Sequence, residues 1–328
     1  MAAISDEFLR AQLEERRQRL GAAIAGSAEK ESFTQLLREV DSALDRMDRG
    51  TYGLCDTCHE SIEKDRLLAD PLVRYCLDHL TFEQQRALEH DLELAGRIQS
   101  ALLPHRNLRL DSWEVHCHYE PLGPVSGDYC DLIPSENTQG ELFFFLGDVS
   151  GKGVAASLRM SHLHAMFRSL VTVGLPVSQL VGLANRVFSQ SAIAGHFATL
   201  VCGRTARSGE VEICNAGHCP ALLVHKSSVS HIDATSLPLG MFSDGQYPVK
   251  RVQLSPGDTL FLYTDGVSET QNASAAEYGL ARLAQFVGER HALAPQALTA
   301  ACLEDVRRFS AGVPKQDDLS IMVLQRTA

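Results

Sequence analysis

The sequence predicts an α+β protein in which a helical, cysteine-bearing N-terminal region precedes a layered domain of strands and helices. Three observations carry that prediction. Apolar residues before about position 103 recur at helical spacing. Those after about 105 fall in short runs bounded by Gly, Pro, Asp or Asn, and a group of cysteines lies between the second helical stretch and the third. Strands in series with a few helices imply a layered α+β domain of about 220 residues. At 328 residues, 45% apolar and 22% charged, the chain is an ordinary globular protein with room for more than one domain.

Taken in order, residues 5–24 and 32–48 read as amphipathic helices. In the second, Phe33, Leu36, Leu37, Val40, Leu44 and Met47 share one face, and Gly50 is a C-terminal stop. The intervening "GAAIAGSAEKE" suits a turn, so 1–50 is expected to form a helical hairpin. Residues 51–80 are short and polar and hold the cysteine group. Residues 81–103 form a third helix ended by Pro104, and 81–104 reads as a linker; Leu88, Leu92, Ala95 and Leu102 make a coiled-coil-like seam that Gln99 interrupts. Such a seam needs a partner face, supplied either by a second chain, making a homodimer, or by the rest of its own chain. The domain 105–328 contains the strand-like runs "WEVHCHYEP", "GELFFFLGDVS", "FATLVCGRT", "EVEICNAG", "PALLVHK", "DTLFLYTDG" and "DDLSIMVLQ", with helices at 154–173, 176–192, 277–288 and 295–310.

A net charge of -11 argues against a general nucleic-acid or membrane surface, since both are anionic. The first twenty residues lack the basic start and apolar core of a secretion signal, and no run reaches the length of a membrane span, so a cytoplasmic protein is expected. Nine cysteines do not suggest a disulfide scaffold here; Cys117, Cys130, Cys202, Cys214, Cys219 and Cys302 read as small buried apolar residues.

The other three cysteines are different. "CDTC" (Cys55, Cys58) and "CLDH" (Cys76, His79) are two pairs with two-residue spacing, separated by seventeen residues. Three thiolates and an imidazole suit a tetrahedral, structural zinc, with His59 the competitor for the fourth position. The text "ALDRMDRGTYGLCDTCHESIEKDRLLADPLVRYC" resembles the DksA/TraR-type zinc finger over about residues 30–80, departing at His79, where that family usually has Cys. Members of that family act on RNA polymerase through an acidic hairpin tip, and Asp6 and Glu7 are too few to imply that here. The expected finger is a structural or sensory module.

"FLGDVSGKG" invites a nucleotide-loop reading, but only three residues separate Gly147 from Gly151, and Gly153 stands where a Ser or Thr is required. Lys152 is therefore not a phosphate clamp. The aspartates carry more information. Asp148 and Asp265 each end an apolar run and enter a glycine turn, Asp128 sits in the turn-like "VSGDYCD", and Asp317 and Asp318 precede the last strand. Carboxylates gathered at one sheet edge would repel unless cations lay between them, and hard oxygen donors favour Mg²⁺ or Mn²⁺.

From about 85 to 328 the chain resembles the PPM-type serine/threonine phosphatases of bacteria, in the branch of RsbU and SpoIIE. The matching text, in family order, is "LELAGRIQSALLP", "VSGDYCD", "GDVSGKGVAAS", "FATLVCG", "NAGHCPALL", "LPLGM", "DTLFLYTDGVSET" and "QDDLSIMVL". The resemblance implies a β-sandwich flanked by helices, in which Asp148 bridges two Mn²⁺ or Mg²⁺ ions beside the Val149 carbonyl and Asp265 binds one of them. It makes Asp317 a ligand, with Asp318 a close alternative, and Asp128 the acid serving the second metal directly or through water. Gly151 and Gly266 would keep the turns tight. The implied activity is two-metal hydrolysis of phosphoserine or phosphothreonine, without a protein nucleophile, on an anti-sigma-factor antagonist in partner-switching signalling. His218 in "NAGH" reads as a turn-holding residue rather than a proton carrier. The alternative function is a non-catalytic zinc-finger regulator or RNA polymerase-binding protein.

Overall fold

The structure is a computed structural model describing residues 6–26, 30–80, 82–135, 138, 140–190 and 196–327. The chain divides into two compact units, Met1–Asp91 and Leu92–Ala328.

In the first unit, α1 (Asp6–Gly26) and α2 (Lys30–Asp48) bury Leu13 and Leu20 against Val40, Ala43 and Leu44. The apolar face expected of α2 is the face it uses. α1 runs two residues further than expected, to Gly26, and Ala22, Ala23 and Ala25 favour helix strongly enough to outweigh Gly21. What remains of the expected turn, residues 27–29, lies outside the described residues. After α2 come α3 (Lys64–Ala69) and a 3-10 turn (Leu77–His79), around a small core of Leu9, Cys55, Ile62, Leu67 and Cys76. The helix α4 (Phe82–Leu102) ends before Pro104, as its sequence predicts.

The second unit is a four-layer sandwich. Its strands are β1 (Asn107–Leu110), β2 (Trp113–Glu120), β3 (Asp128–Pro134), β4 (Leu142–Val149), β5 (Ala198–Thr205), β6 (Glu210–Ala216), β7 (Ala221–His225), β8 (Ser228–Ile232), β9 (Lys250–Gln253), β10 (Thr259–Tyr263) and β11 (Leu319–Arg326). The helices are α5 (Gly153–Val171), α6 (Val177–Gln190), the single turn α7 (Asp265–Ser268), α8 (Leu280–Glu289) and α9 (Pro295–Ser310). One antiparallel sheet has the order β1-β2-β11-β10-β7-β8, the other β3-β4-β5-β6-β9.

The strand text explains the layering. Successive side chains of a strand face opposite ways. In β4, Leu142, Phe144 and Leu146 enter the core between the sheets, while Phe143 and Phe145 pack under α5 and α6. In β11, Met322 and Leu324 face the sheet that contains β4, and Ile321 and Val323 face α8 and α9. Both faces of these strands are covered, so they read as unbroken apolar runs rather than alternating ones.

Two sequence expectations need correction. "VSGDYCD" is not a turn at Asp128: that residue is the first of β3, fully enclosed, and paired directly opposite Asp148. The strands β1, β8 and β9 were absent from the expected set; they are short sheet-edge or near-edge segments, partly exposed and polar.

Candidate functional site

The first unit brings Cys55, Cys58, Cys76 and His79 together, with their ligand atoms all within 4.8 Å of one another. His59 is not in the group. Its backbone closes the turn instead, donating from N to the Cys55 carbonyl at 2.8 Å with φ of 60°. The His79 Nδ1 lies 3.1 Å from the Cys76 Sγ. Burial raises the Cys55 pKa, but backbone N–H groups of Cys58, Cys76 and Thr57 outweigh it and bring the thiol down to about 6. A thiol poised to ionise among soft donors, with every position filled by protein, suits a closed zinc site.

The second unit places the aspartates where four strands end. β4 runs out at Asp148–Val149, and β3 begins opposite it at Asp128. β10 ends at Tyr263, so Thr264 and Asp265 follow at the same edge. β11 begins at Leu319, just after Asp317 and Asp318. The two sheets are joined at this edge. Thr264 donates its backbone N–H to the Ser320 carbonyl at 3.0 Å, and Ser320 returns one to the Thr264 Oγ1 at 3.0 Å. Both hydroxyls then donate to Asp128 Oδ2, Ser320 at 2.5 Å and Thr264 at 3.0 Å.

The electrostatics are those of a crowded anionic site. Burial, then Asp265, Asp317 and Asp318, push the Asp148 pKa up to about 7, against the lowering effect of Lys152. Asp265 is raised by burial and by Asp317. Asp128 is raised well above the ordinary range by burial and by Asp148. Such mutual repulsion is the expected cost of gathering carboxylates with no counter-charge, and divalent cations relieve it. The space beside Asp148 is also kept open: a Cβ at Gly127 would lie 2.9 Å from the Val149 carbonyl oxygen and 3.2 Å from Asp148 Oδ1. Gly266 lets the Asp265 turn approach β11, since a Cβ there would meet the Asp318 carbonyl oxygen at 1.9 Å. Among the described residues the acids form a looser group than the cysteine set, whose atoms alone close to 4.8 Å. Ligands shared between two ions about 3.5–4 Å apart need not all converge on one point.

The neighbouring aspartates 317 and 318 differ in what they touch. Asp318 Oδ1 accepts from the Leu122 N–H at 2.6 Å and Oδ2 from the Gly127 N–H at 3.1 Å. Asp317 accepts from the Lys152 Nζ at 2.9 Å and from its neighbour's N–H. Lys152 also donates to the Gln316 carbonyl, at 2.7 Å. It stands at the rim as a counter-ion to Asp317, a placement that the failed nucleotide-loop pattern did not reveal.

His218 is enclosed. Its Nε2–H donates to the Tyr263 carbonyl at 3.1 Å, and its Nδ1 accepts from the Thr199 hydroxyl at 2.8 Å. Burial pulls its pKa down to about 4, so it is neutral. Thr199 of β5 is the register partner of Asp148 and Tyr263 precedes Thr264–Asp265, so His218 ties the strand beside Asp148 to the strand that leads into Asp265. Of the six scattered cysteines, five are buried and Cys219 is half-buried; all are free.

Two helix-flanked antiparallel sheets with aspartates at their shared edge define a PPM-type (PP2C) protein serine/threonine phosphatase, a class that works with divalent metal ions. The chain belongs to the family described as Stage II sporulation protein E (SpoIIE), which matches residues 138–327. The prokaryotic dksA/traR C4-type zinc finger matches residues 50–78, and with the cysteine cluster implies zinc. The chain is 25% identical over 247 residues to the phosphoserine phosphatase RsbU of Bacillus subtilis, covering 74% of this chain and 72% of RsbU. It spans less than half the length of two other curated relatives. The crystal structure of the RsbU and RsbW domains of a Mycobacterium tuberculosis protein aligns with TM-score 0.58 and 27% identity, over 68% of this chain and 62% of that one. The SiaA-PP2C domain of Pseudomonas aeruginosa shares the fold at TM-score 0.65 and 19% identity, over 74% and 98% of the two chains. No described helix is long and apolar enough to cross a membrane.

Proposed function

We propose that the protein removes phosphate from phosphoserine or phosphothreonine of an anti-sigma-factor antagonist in a cytoplasmic partner-switching pathway. The observation that carries the reading is the gathering of Asp148, Asp265 and Asp317 at the joint edge of the two sheets, with Asp148 raised by burial and by its acidic neighbours and Asp265 by burial and by Asp317. Likeness to RsbU supports the substrate class.

In this reading Asp148, the Val149 carbonyl, Asp265 and Asp317 would hold two Mn²⁺ or Mg²⁺ ions, and Asp128 would serve the second ion directly or through water. Asp317 is the better candidate than Asp318, because both oxygens of Asp318 already accept backbone N–H groups. When bound, the ions supply Lewis-acid activation of water and neutralise phosphoryl charge. The chain's own part is preorganisation. Ser320 and Thr264 fix the Asp128 carboxylate, neutral His218 fixes the strands beneath Asp148 and Asp265, and Lys152 offsets the charge of Asp317. In the first unit, one zinc held by Cys55, Cys58, Cys76 and His79 would be structural.

The test is release of phosphate from p-nitrophenyl phosphate and from a phosphoserine peptide with and without Mn²⁺. Mn²⁺-dependent turnover supports the reading, and inactivity on both substrates with Mn²⁺ bound would refute it. An Asp148→Asn substrate trap then identifies the phosphoprotein. The seam of α4, with Leu94 and Ile98 exposed beside it, supports a homodimer. Light scattering should show Leu92→Asp shifting the wild-type dimer toward monomer; a wild-type monomer at micromolar concentration sinks this part.

A further inference from the structure

Gln99 breaks the apolar seam of α4, and the structure shows what it does instead. It is enclosed, at 5% exposure, and grips the backbone of one residue, on both sides of its Cα, with the two ends of its amide. Its Nε2 donates to the Ser126 carbonyl at 2.7 Å, and its Oε1 accepts from the Ser126 N–H at 2.9 Å. Because Ser126 offers one backbone donor and one acceptor, the orientation of the amide is fixed by the bonds themselves. α4 comes so close here that a Cβ at Gly96 would lie 2.4 Å from the Pro124 carbonyl oxygen.

The gripped segment leads directly into the site. The Ser126 hydroxyl accepts from the Asp128 N–H at 3.0 Å. The next residue, Gly127, donates its N–H to Asp318 and accepts from the Val149 N–H at 3.3 Å. The peptide joining Ser126 to Gly127 is therefore held from both ends, its carbonyl by Gln99 of α4 and its N–H by Asp318 just before β11. Release by Gln99 leaves two backbone groups of Ser126, a residue that is 1% exposed, without partners.

We propose that Gln99 is a positioning residue for the phosphatase site: through Ser126 it sets the placement of Gly127 and Asp128 relative to Asp148 and Val149. This rests on the functional reading above for its catalytic consequence, but its structural consequence is independent of it. A displacement of about 1 Å at such a segment costs on the order of 10²-fold in turnover, and a partial release costs less.

Two variants test it. Gln99→Met keeps the shape and loses both bonds. Gln99→Glu keeps the acceptor, but when ionised turns a carboxylate oxygen toward the Ser126 carbonyl; protonated, it can donate there as the amide does. Turnover of p-nitrophenyl phosphate with saturating Mn²⁺ is measured from about pH 5.5 to 8.5, a range that spans raised carboxyl pKa values. Gln99→Met should lose about tenfold or more at every pH. The ratio of Gln99→Glu to wild type should be as low at pH 8.5 and climb as pH falls, a recovery that a merely structural defect would not show. Hydrogen exchange of the segment 121–129 in metal-free protein should speed up in Gln99→Met while the β4–β5 pairing stays protected. If wild type is inactive the functional reading fails, and exchange alone judges the clamp. Unchanged exchange, or a flat pH ratio for Gln99→Glu at wild-type level, would overturn the proposal. Should Gln99→Met not fold, the pH ratio of Gln99→Glu decides.

Discussion

The two candidate metal sites of this chain are built by opposite strategies. The cysteine group draws its four candidate ligands from within twenty-five positions of sequence, Cys55 to His79, and two of them, Cys55 and Cys76, belong to a small core with Leu9, Ile62 and Leu67. The aspartate site draws on residues from 128 to 318 and has no local fold; its geometry belongs to two whole sheets. The first is closed, with each donor position filled by protein. The second leaves Asp148, Asp265 and Asp317 half-exposed, and its carboxylates are strained by one another. A local, saturated site can hold a fold together, whereas a site set by a large rigid scaffold can spare its coordination positions for water and substrate.

The largest expected effect lies in the scaffolded site. Asp148→Asn and Asp265→Asn should each lower Mn²⁺-dependent turnover by at least about 10²-fold, with folding retained by circular dichroism; a loss under about threefold would mean that the acids are not the metal centre. Next in size, Cys55→Ser should abolish zinc in elemental analysis and leave the first unit open to proteolysis, because so small a core cannot fold without its metal. Zinc-free yet protease-resistant protein would break the contrast.

A third effect separates the sites by pH. The folded pKa of Asp148, about 7, lies above the ordinary value near 3.9. An acid raised by folding stabilises the metal-free protein fully below its unfolded pKa, and that contribution is lost as pH rises through the folded one. Between about pH 4 and 7, therefore, metal-free wild type should lose melting temperature relative to Asp148→Asn, while the rise in melting temperature on adding Mn²⁺ grows over the same window. Calorimetry at several pH values checks both; a gap that does not change with pH would contradict the assignment. The smallest effect belongs to Lys152→Ala. It should reduce turnover by less than about tenfold, below the loss of a main electrostatic group. Since Lys152 lowers the Asp148 pKa, its removal should also move Mn²⁺ binding to higher pH, measurable by titration.

The same contrast governs what could be read from the residues in order. The cysteine pairs were legible because their geometry is a matter of spacing. The site ends of β4, β10 and β11 were legible because an aspartate closes or follows the first two apolar runs and a pair of aspartates precedes the third. Asp128 was misjudged as a turn residue because Ser-Gly-Asp looks like a turn; only the partner strand shows it to be enclosed. Asp317 and Asp318 cannot be told apart in the text, yet one meets a lysine and the other two backbone N–H groups. Gln99 read as a flaw in a helix seam, and nothing near it in sequence names Ser126. Likewise β1 and β9 are only four residues long, with two apolar residues and one respectively, and edge position rather than burial holds them in place.

One further consequence follows from the register of β3 on β4. Asp128 stands opposite Asp148, and Asp148 opposite Thr199. A strand that settles one position out of step turns its whole set of side chains to the other face. A molecule mispaired there would send Asp128 away from Asp148 and present no complete set of donors. If these carboxylates hold the ions, as proposed, a chain mispaired in this way would not take up metal, and the fraction of a refolded preparation that binds Mn²⁺ would report how many molecules have paired β3 with β4 in step.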